Sequence, residues 1–233
     1  MSAILIESQY IGSCTYWHCL LQATSIVIDQ EEHYVRRSFR NRAHILGANG
    51  LLRLSIPLER GKHQHSKMKD VKISYQENWQ ALHWHSITSC YRRSPYFEYY
   101  EDYFKPFYTE KQELLLDYNL SFMQTIAGLL KIKLPISKSD KYYTSADFIG
   151  IDARSYFLPT KNITIDFPTY PQVFNDRFPF VKDLSLLDVL FNVGPNTSNY
   201  ISSLPFKFLY PFLLSRVPFF RRCQILFSTL HRC

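Results

Sequence analysis

Glycine is scarce in this chain. Seven in 233 residues is under half the usual share of roughly 7%, which leaves few places where backbone can close on a phosphate. The GxGxxG, GxxxxGK[ST], GxSxG and HExxH patterns are all missing, so the common nucleotide-binding, esterase and zinc-protease signatures are excluded. Five cysteines (Cys14, Cys19, Cys90, Cys223 and Cys233) make an odd set without CxxC spacing, which indicates neither a disulfide framework nor a zinc knuckle. Long apolar runs are also lacking. The most apolar stretch, Phe208 to Leu214, is interrupted by Pro211 and is far shorter than the about 20 residues a membrane helix needs. The opening MSAILIESQY has no basic segment, so no signal peptide is expected and the expected location is the cytoplasm.

What is present is a globular composition, 46% hydrophobic and 16% aromatic, with enough chain to bury one substantial core. The net charge of +7 is unevenly placed. Lys207, Arg216, Arg221, Arg222 and Arg232 lie after residue 203 with no acid among them. The remaining chain is therefore close to neutral, which removes most of the support for a nucleic-acid partner. The organisation expected is a domain over 1–203 and a basic, apolar tail over 204–233 outside it. The tail alternates basic and apolar clusters and contains Pro205, Pro211 and Pro218, a composition suited to a membrane surface or another protein.

The first thirty residues read as strand, helix, strand. Ile4–Ile6 and the SIVID run at 25–29 are β-branched, and Tyr16, Leu20 and Ala23 keep helical spacing between them. This βαβ unit predicts an α/β fold, with α+β as the alternative, and a parallel pair. It places Asp29 at the carboxyl end of the second strand, where α/β sheets hold ligand contacts. His44–Leu46 and Leu51–Ile56 flank a Gly47-Ala48-Asn49-Gly50 turn and predict a hairpin joining a mixed sheet. A polar loop over 59–70 and a strand over 71–75 follow. The centre is helical. Trp79, His83, Ser86, Ile87 and Cys90 recur at three to four residues, and a helix over about 111–132 carries the stripe Leu115, Tyr118, Phe122, Ile126 and Leu129. A strand-poor region leads to a short helix over 184–192, stopped by Gly194-Pro195.

Several polar clusters are candidates for chemistry. The block from Glu31 to Arg42 holds Arg36, Arg37, Arg40 and Arg42; these are either planar forks for phosphate or carboxylate or a solvated face with internal ion pairs. His63 and His65 lie in the polar loop without two further metal ligands. His83 falls on the apolar stripe whereas His85 does not, so the two do not chelate together; His83 alone is a general base or a satisfied core histidine. The stretch from Tyr91 to Tyr103 concentrates tyrosines beside Arg92 and Arg93, suited to stacking on a ring or to a helix seam. Asp117 and Asn119 flank an apolar stripe, where a buried carboxylate needs a partner such as arginine. Cys14 and Cys19 suit small core positions.

An ordered series of blocks resembles the WbqC-like protein family. It comprises Gln9-Tyr10, EEHYVRRSFRNR at 31–42, Ala48-Asn49-Gly50, LSIPL at 54–58, DVKISY at 70–75 and W-x3-HWHSI-x3-Y-x2-SPYFEYYED at 79–102. LLLDYN at 114–119, DFPTYPQVF at 166–174 and LSLLDVLFNVGP at 184–195 complete it. The resemblance spans about residues 8–203. It implies a bacterial protein of surface-polysaccharide (O-antigen-like, lipopolysaccharide) biosynthesis. The reaction implied is a transfer to a nucleotide-activated sugar, such as acyl or aminoacyl transfer to an amino sugar. The alternative is a non-catalytic binding or assembly protein of the same pathway. His83 and Asp117 are then the candidate catalytic residues. Asp29, Tyr34, Arg40, Asn41, Arg42, Tyr91, Ser94, Tyr96 and Asn119 are the candidate substrate contacts, with Arg40 and Arg42 on a diphosphate and Tyr91 and Tyr96 on the ring. No metal is expected and no cofactor motif stands out; acyl-CoA or another activated acyl donor fits the reaction. The partner expected is an anionic small molecule, with no nucleic acid.

Overall fold

The computed structural model describes residues 3–59, 66–145, 147–159 and 166–205. The β-branched runs form β1 (Ala3–Ile6) and β2 (Ser25–Ile28), paired in parallel with Ile4 opposite Ile26 and Ile6 opposite Ile28. Between them α1 (Cys14–Gln22) starts at Ser13, whose hydroxyl accepts the Tyr16 amide, a cap that satisfies one of the helix's otherwise unpaired donors. Tyr16, Trp17 and Leu20 bury α1 against the sheet.

Two strands that sequence periodicity does not reveal complete this sheet. β5 (Ile136–Lys138) adds to β2, and β6 (Ile151–Asp152) adds to β1, both parallel, giving the order β5-β2-β1-β6. They lie in the region expected to be poor in strands. Runs of two or three residues carry too little alternation to register as a period.

The hairpin forms as expected, β3 (Arg42–Gly47) against β4 (Gly50–Ser55), with Gly50 alone in the left-handed region at φ 101. It makes its own two-stranded sheet rather than extending the parallel one. Ala43, Ile45 and Leu54 face the core, while Arg42, His44, Arg53 and Ser55 share the other face. The strand expected over 71–75 is not continuous. Ile73 bridges Leu58 and Lys72 bridges Leu114 as isolated pairs.

The helical centre consists of α2 (Trp79–Tyr91), α3 (Phe97–Phe104) and α4 (Leu115–Leu129). Helix α4 begins four residues later than its polar approach suggests. Its stripe of Leu115, Tyr118, Phe122 and Ile126 is buried, with Phe122 packed on Phe107 and Phe104 at ring separations of 4.6 and 5.2 Å. Helix α5 (Leu186–Val193) ends at Gly194, φ 62, and α6 (Thr197–Ser203) closes on α1. Leu204 is still buried in the core, so the body continues one residue past the expected boundary at 203. The tail from 206 onward lies outside the described residues, as do His63 and His65. Among the described residues no helix is long and apolar enough to cross a membrane, and Cys14, Cys19 and Cys90 are free and buried.

Candidate functional site: an arginine-lined cleft

The cleft is built from the chain that leaves β2. Asp29, the first residue beyond the strand, accepts from the amides of Glu31 and Glu32 at 3.0 and 3.1 Å and from Ser139 Oγ at 2.9 Å. Arg154 Nη1 adds an ion pair at 2.6 Å. This turn sends neighbouring glutamates in opposite directions. Glu31 goes outward to Lys67 and Lys69, each at 2.7 Å, and those ammonium groups hold its carboxyl below the usual range. Glu32 goes inward to Arg40, whose Nε and Nη2 donate to its two oxygens at 2.8 and 2.6 Å. Burial pushes the Glu32 carboxyl up and the facing guanidinium opposes that shift.

Beyond Arg40 the chain turns into β3, so Arg42 faces away from the core. Asn41 fastens this turn. Its carbonyl accepts the Ile56 amide at 2.9 Å, its Nδ2 donates to the Ile56 carbonyl at 2.8 Å, and its Oδ1 accepts Tyr34 OH at 2.9 Å. The result is an open cleft of about 490 Å3. It is lined by Tyr34, Arg36, Arg37, Asn41 and Arg42 from the turn, by Ser55 to Leu58, termed its floor, and by Glu77.

The electrostatics are unbalanced. Among the described residues, Arg36, Arg37, Arg42 and the adjacent Arg53 make no ion pair. Arg42 Nε is shielded from solvent with no acceptor. Burial, then the charges of Arg53 and Arg37, lower its pKa. A shielded donor without an acceptor costs about 1–3 kcal/mol, and like charges add to it. Arg37 also takes a left-handed backbone, φ 57, which costs a residue with a side chain about 1–2 kcal/mol.

The expected site residues separate into distinct surroundings. Tyr34, Asn41 and Arg42 meet at the cleft. Arg40 does not join them. It is fully buried, its fork closed on Glu32, and its carbonyl accepts Asn119 Nδ2 at 2.8 Å. The convergence expected of Arg40 and Arg42 is therefore absent, because the turn at Asn41 reverses the side of the chain.

His83 lies behind the floor. Ser55 N donates to its Nε2 at 3.2 Å, which leaves the proton on Nδ1, 3.1 Å from Tyr10 OH; Tyr10 OH in turn lies 2.8 Å from Tyr108 OH. Burial lowers the imidazole to about 4. Both nitrogens are thus engaged, and His83 presents no lone pair to a ligand in the cleft. It is the satisfied core histidine of the two readings.

Asp117 is half-exposed on the first turn of α4 and pairs with Lys138 at 3.1 Å, apart from the cleft. Tyr91 donates to Asp188 at 2.9 Å, alongside Tyr170 OH at 2.6 Å and Gln172 Nε2 at 3.0 Å. Ser94 Oγ donates to the Tyr91 carbonyl at 2.6 Å. Half-buried Tyr96 lies against Gly194, where an added Cβ would come within 2.5 Å of its ring. These three belong to the seam between α2, α3 and α5 and not to the cleft. Asp29 sits where the βαβ reading puts it, but its oxygens are occupied by the turn it organises.

Sequence reasoning did not assign Ser55 to Leu58 or Glu77 to a site, and it singled out Arg40 over Arg36 and Arg37. The block at 54–58 was the available signal for the floor; nothing in the pattern marked Glu77. A second, enclosed hollow lies among Tyr10, Gly12, Ser13, His44, Asp183 and Ser185, but it has no room for a water-sized molecule. Among the described residues no group of three or more His, Cys, Asp or Glu is placed to hold a metal ion.

The model of the WbqC-like protein family matches residues 7–154, which include α1, β2, the arginine turn, the hairpin and the whole cleft. The chain belongs to the WbqC-like protein family. This WbqC-like chain is also 23% identical over 222 residues to the uncharacterised protein Rv1507c of Mycobacterium tuberculosis, covering 84% of this chain and 96% of that one. No solved structure matches. The blocks at 166–174 and 184–195 lie beyond the family match, in the segment that supplies Tyr170, Gln172 and Asp188 to the α5 seam.

Proposed function

We propose that this WbqC-like protein is a transferase acting on a nucleotide-activated sugar in surface-polysaccharide (O-antigen-like) biosynthesis, and that its arginine cleft holds the diphosphate. The observation that carries this reading is the shielded, acceptor-less Nε of Arg42 among arginines that no carboxylate neutralises. A diphosphate supplies oxygens for that donor and charge for its neighbours, and guanidinium forks fit phosphate geometry. The strained Arg37 backbone at the same wall supports the reading, since such strain gathers at ligand clamps. Pro57 and Leu58 offer an apolar floor for a sugar or base ring, with Tyr34 beside it. The reaction proposed is acyl or aminoacyl transfer to an amino sugar, with acyl-CoA or another activated acyl group as donor. His83 acts in this scheme by positioning the floor through Ser55.

The test is binding by calorimetry or thermal shift against UDP-, GDP- and dTDP-sugars, with and without acyl-CoA. One nucleotide class should stabilise the protein, and Arg42→Met should weaken that binding by about 1.5–3 kcal/mol, the range for hydrogen bonds to charged groups. A silent screen, or binding indifferent to Arg42→Met, rejects the reading. A non-catalytic binding protein of the same pathway is the second reading. It is favoured by the engagement of both His83 nitrogens and by the distance of Asp117 from the cleft. Binding without turnover in the presence of the acyl donor would select it.

A further inference from the structure

Glu77 lines the same cleft as Arg36, Arg37 and Arg42, and it is exposed with no ion pair or hydrogen bond to any described residue. Several carboxylates of the surface are paired: Glu31 takes Lys67 and Lys69, Glu113 takes Lys72, and Asp117 takes Lys138. Glu77 shares its cleft with three arginines and pairs with none of them. The floor of that cleft is bonded along two edges. On one edge Ile56 is bonded to Asn41, which fixes the arginine wall. On the other edge Ser74 N donates to the Pro57 carbonyl at 2.9 Å, Glu59 N donates to the Lys72 carbonyl at 3.1 Å and Leu58 bridges Ile73, which fixes the segment leading to Glu77. The tyrosine of that segment is held in turn, Tyr75 OH donating to the Gln112 carbonyl at 2.8 Å and accepting Gln112 N at 2.9 Å. The segment that carries the arginines and the segment that leads to Glu77 are therefore bonded to the same short stretch of floor.

We infer that Glu77 recognises a protonated amine on the same ligand whose diphosphate the arginines hold, so that the ligand class is a nucleotide sugar with a free amino group on its ring. This rests on the nucleotide-sugar reading of the cleft and adds the specificity of Glu77. A ligand lying on Pro57 and Leu58 would meet guanidinium groups with its anionic end and the Glu77 carboxylate with its cationic end, whereas a neutral sugar leaves Glu77 without a partner. Discrimination comes from that unmatched charge.

The test compares UDP-glucosamine with UDP-glucose at mildly acidic pH, where the amine carries its proton, using inorganic pyrophosphate as a third probe. The wild-type protein should bind UDP-glucosamine about tenfold more tightly than UDP-glucose, the lower end of the range for a charge-assisted hydrogen bond because Glu77 is exposed. Glu77→Gln should erase that preference while leaving UDP-glucose and pyrophosphate affinities unchanged. Arg42→Met should weaken all three and leave the preference intact. Equal affinity of the wild-type protein for the two sugars, or a preference that survives Glu77→Gln, overturns the role of Glu77 and leaves the nucleotide-sugar reading standing. Failure of both nucleotides to bind, or binding indifferent to Arg42→Met, overturns both. Melting temperatures of the two variants report whether each is folded.

Discussion

Arg40 and Arg42 leave the same turn and enter opposite kinds of surroundings. On the inner side Arg40 closes on Glu32, and Arg154 links Asp29 to Asp152, where its Nη2 reaches Oδ2 at 2.6 Å. On the outer side Arg53 and Arg37 stand close enough to disturb Arg42, and among the described residues no acid pairs with any of the three. A buried ion pair with good geometry is a device of the fold, and removing one partner leaves an uncompensated charge. A half-buried guanidinium without a partner weakens the fold slightly and gains only when an anion arrives. The same residue type, two positions apart, is structural in one place and available in the other.

The contrast breaks most visibly in stability. Arg40→Met should cost about 3–5 kcal/mol, the penalty for orphaning a buried charge, read as the midpoint of urea unfolding. Arg42→Met should leave stability unchanged or raise it by up to about 1 kcal/mol, since it removes a shielded donor without an acceptor. Equal losses in the two variants would erase the distinction between the sides.

A second test uses pH at the floor that separates the two sides. His83 is neutral when folded, with its pKa lowered from 6.5 to about 4. The unfolded chain thus takes up a proton between those values while the folded one does not. His83 contributes stability that is present above 6.5 and lost as pH falls through 6.5 toward 4, up to about 3 kcal/mol. Burial raises Asp183 to about 6, which acts in the opposite direction, its share being lost as pH rises from about 4 to 6. Comparison of unfolding curves for wild type and His83→Asn removes the Asp183 contribution, and the variant should show the smaller decline on acidification.

The smallest effect expected is at the fastening of the arginine wall. Tyr34→Phe removes the hydroxyl that donates to Asn41 and should cost about 1 kcal/mol of stability. It should also weaken diphosphate binding while leaving Arg40 and Glu32 undisturbed, a combination that chemical denaturation and calorimetry together resolve.

The fold was legible in the sequence wherever periodicity was long. The βαβ unit, the hairpin and α4 were visible because β-branched runs and a 3.6-residue stripe persist over many residues. Residues 71–75 alternate because Val71 and Ile73 are buried, and alternation reports a buried face rather than a ladder of strands. The arginine block was legible as a cluster, but which of its members lines the cleft was not, since that depends on a turn held by Asn41 to a residue fifteen positions away. Glu32 likewise finds Arg40 across an irregular loop, a pairing that no spacing rule encodes. His83 was correctly placed on the apolar stripe of α2. Its partners at 10 and 55 come from other elements, which is why its role could not be read from the stripe alone.

Ser55 to Leu58 is bonded along both edges, to Asn41 on one and to Ser74 and Lys72 on the other. Spreading these edges apart would break backbone bonds on both sides at once, so the backbone beneath the cleft behaves as a fixed gauge rather than an adjustable grip. Amide exchange at Ile56 and Ser74 should already be slow in the empty protein, because no hinge remains there for a ligand to close.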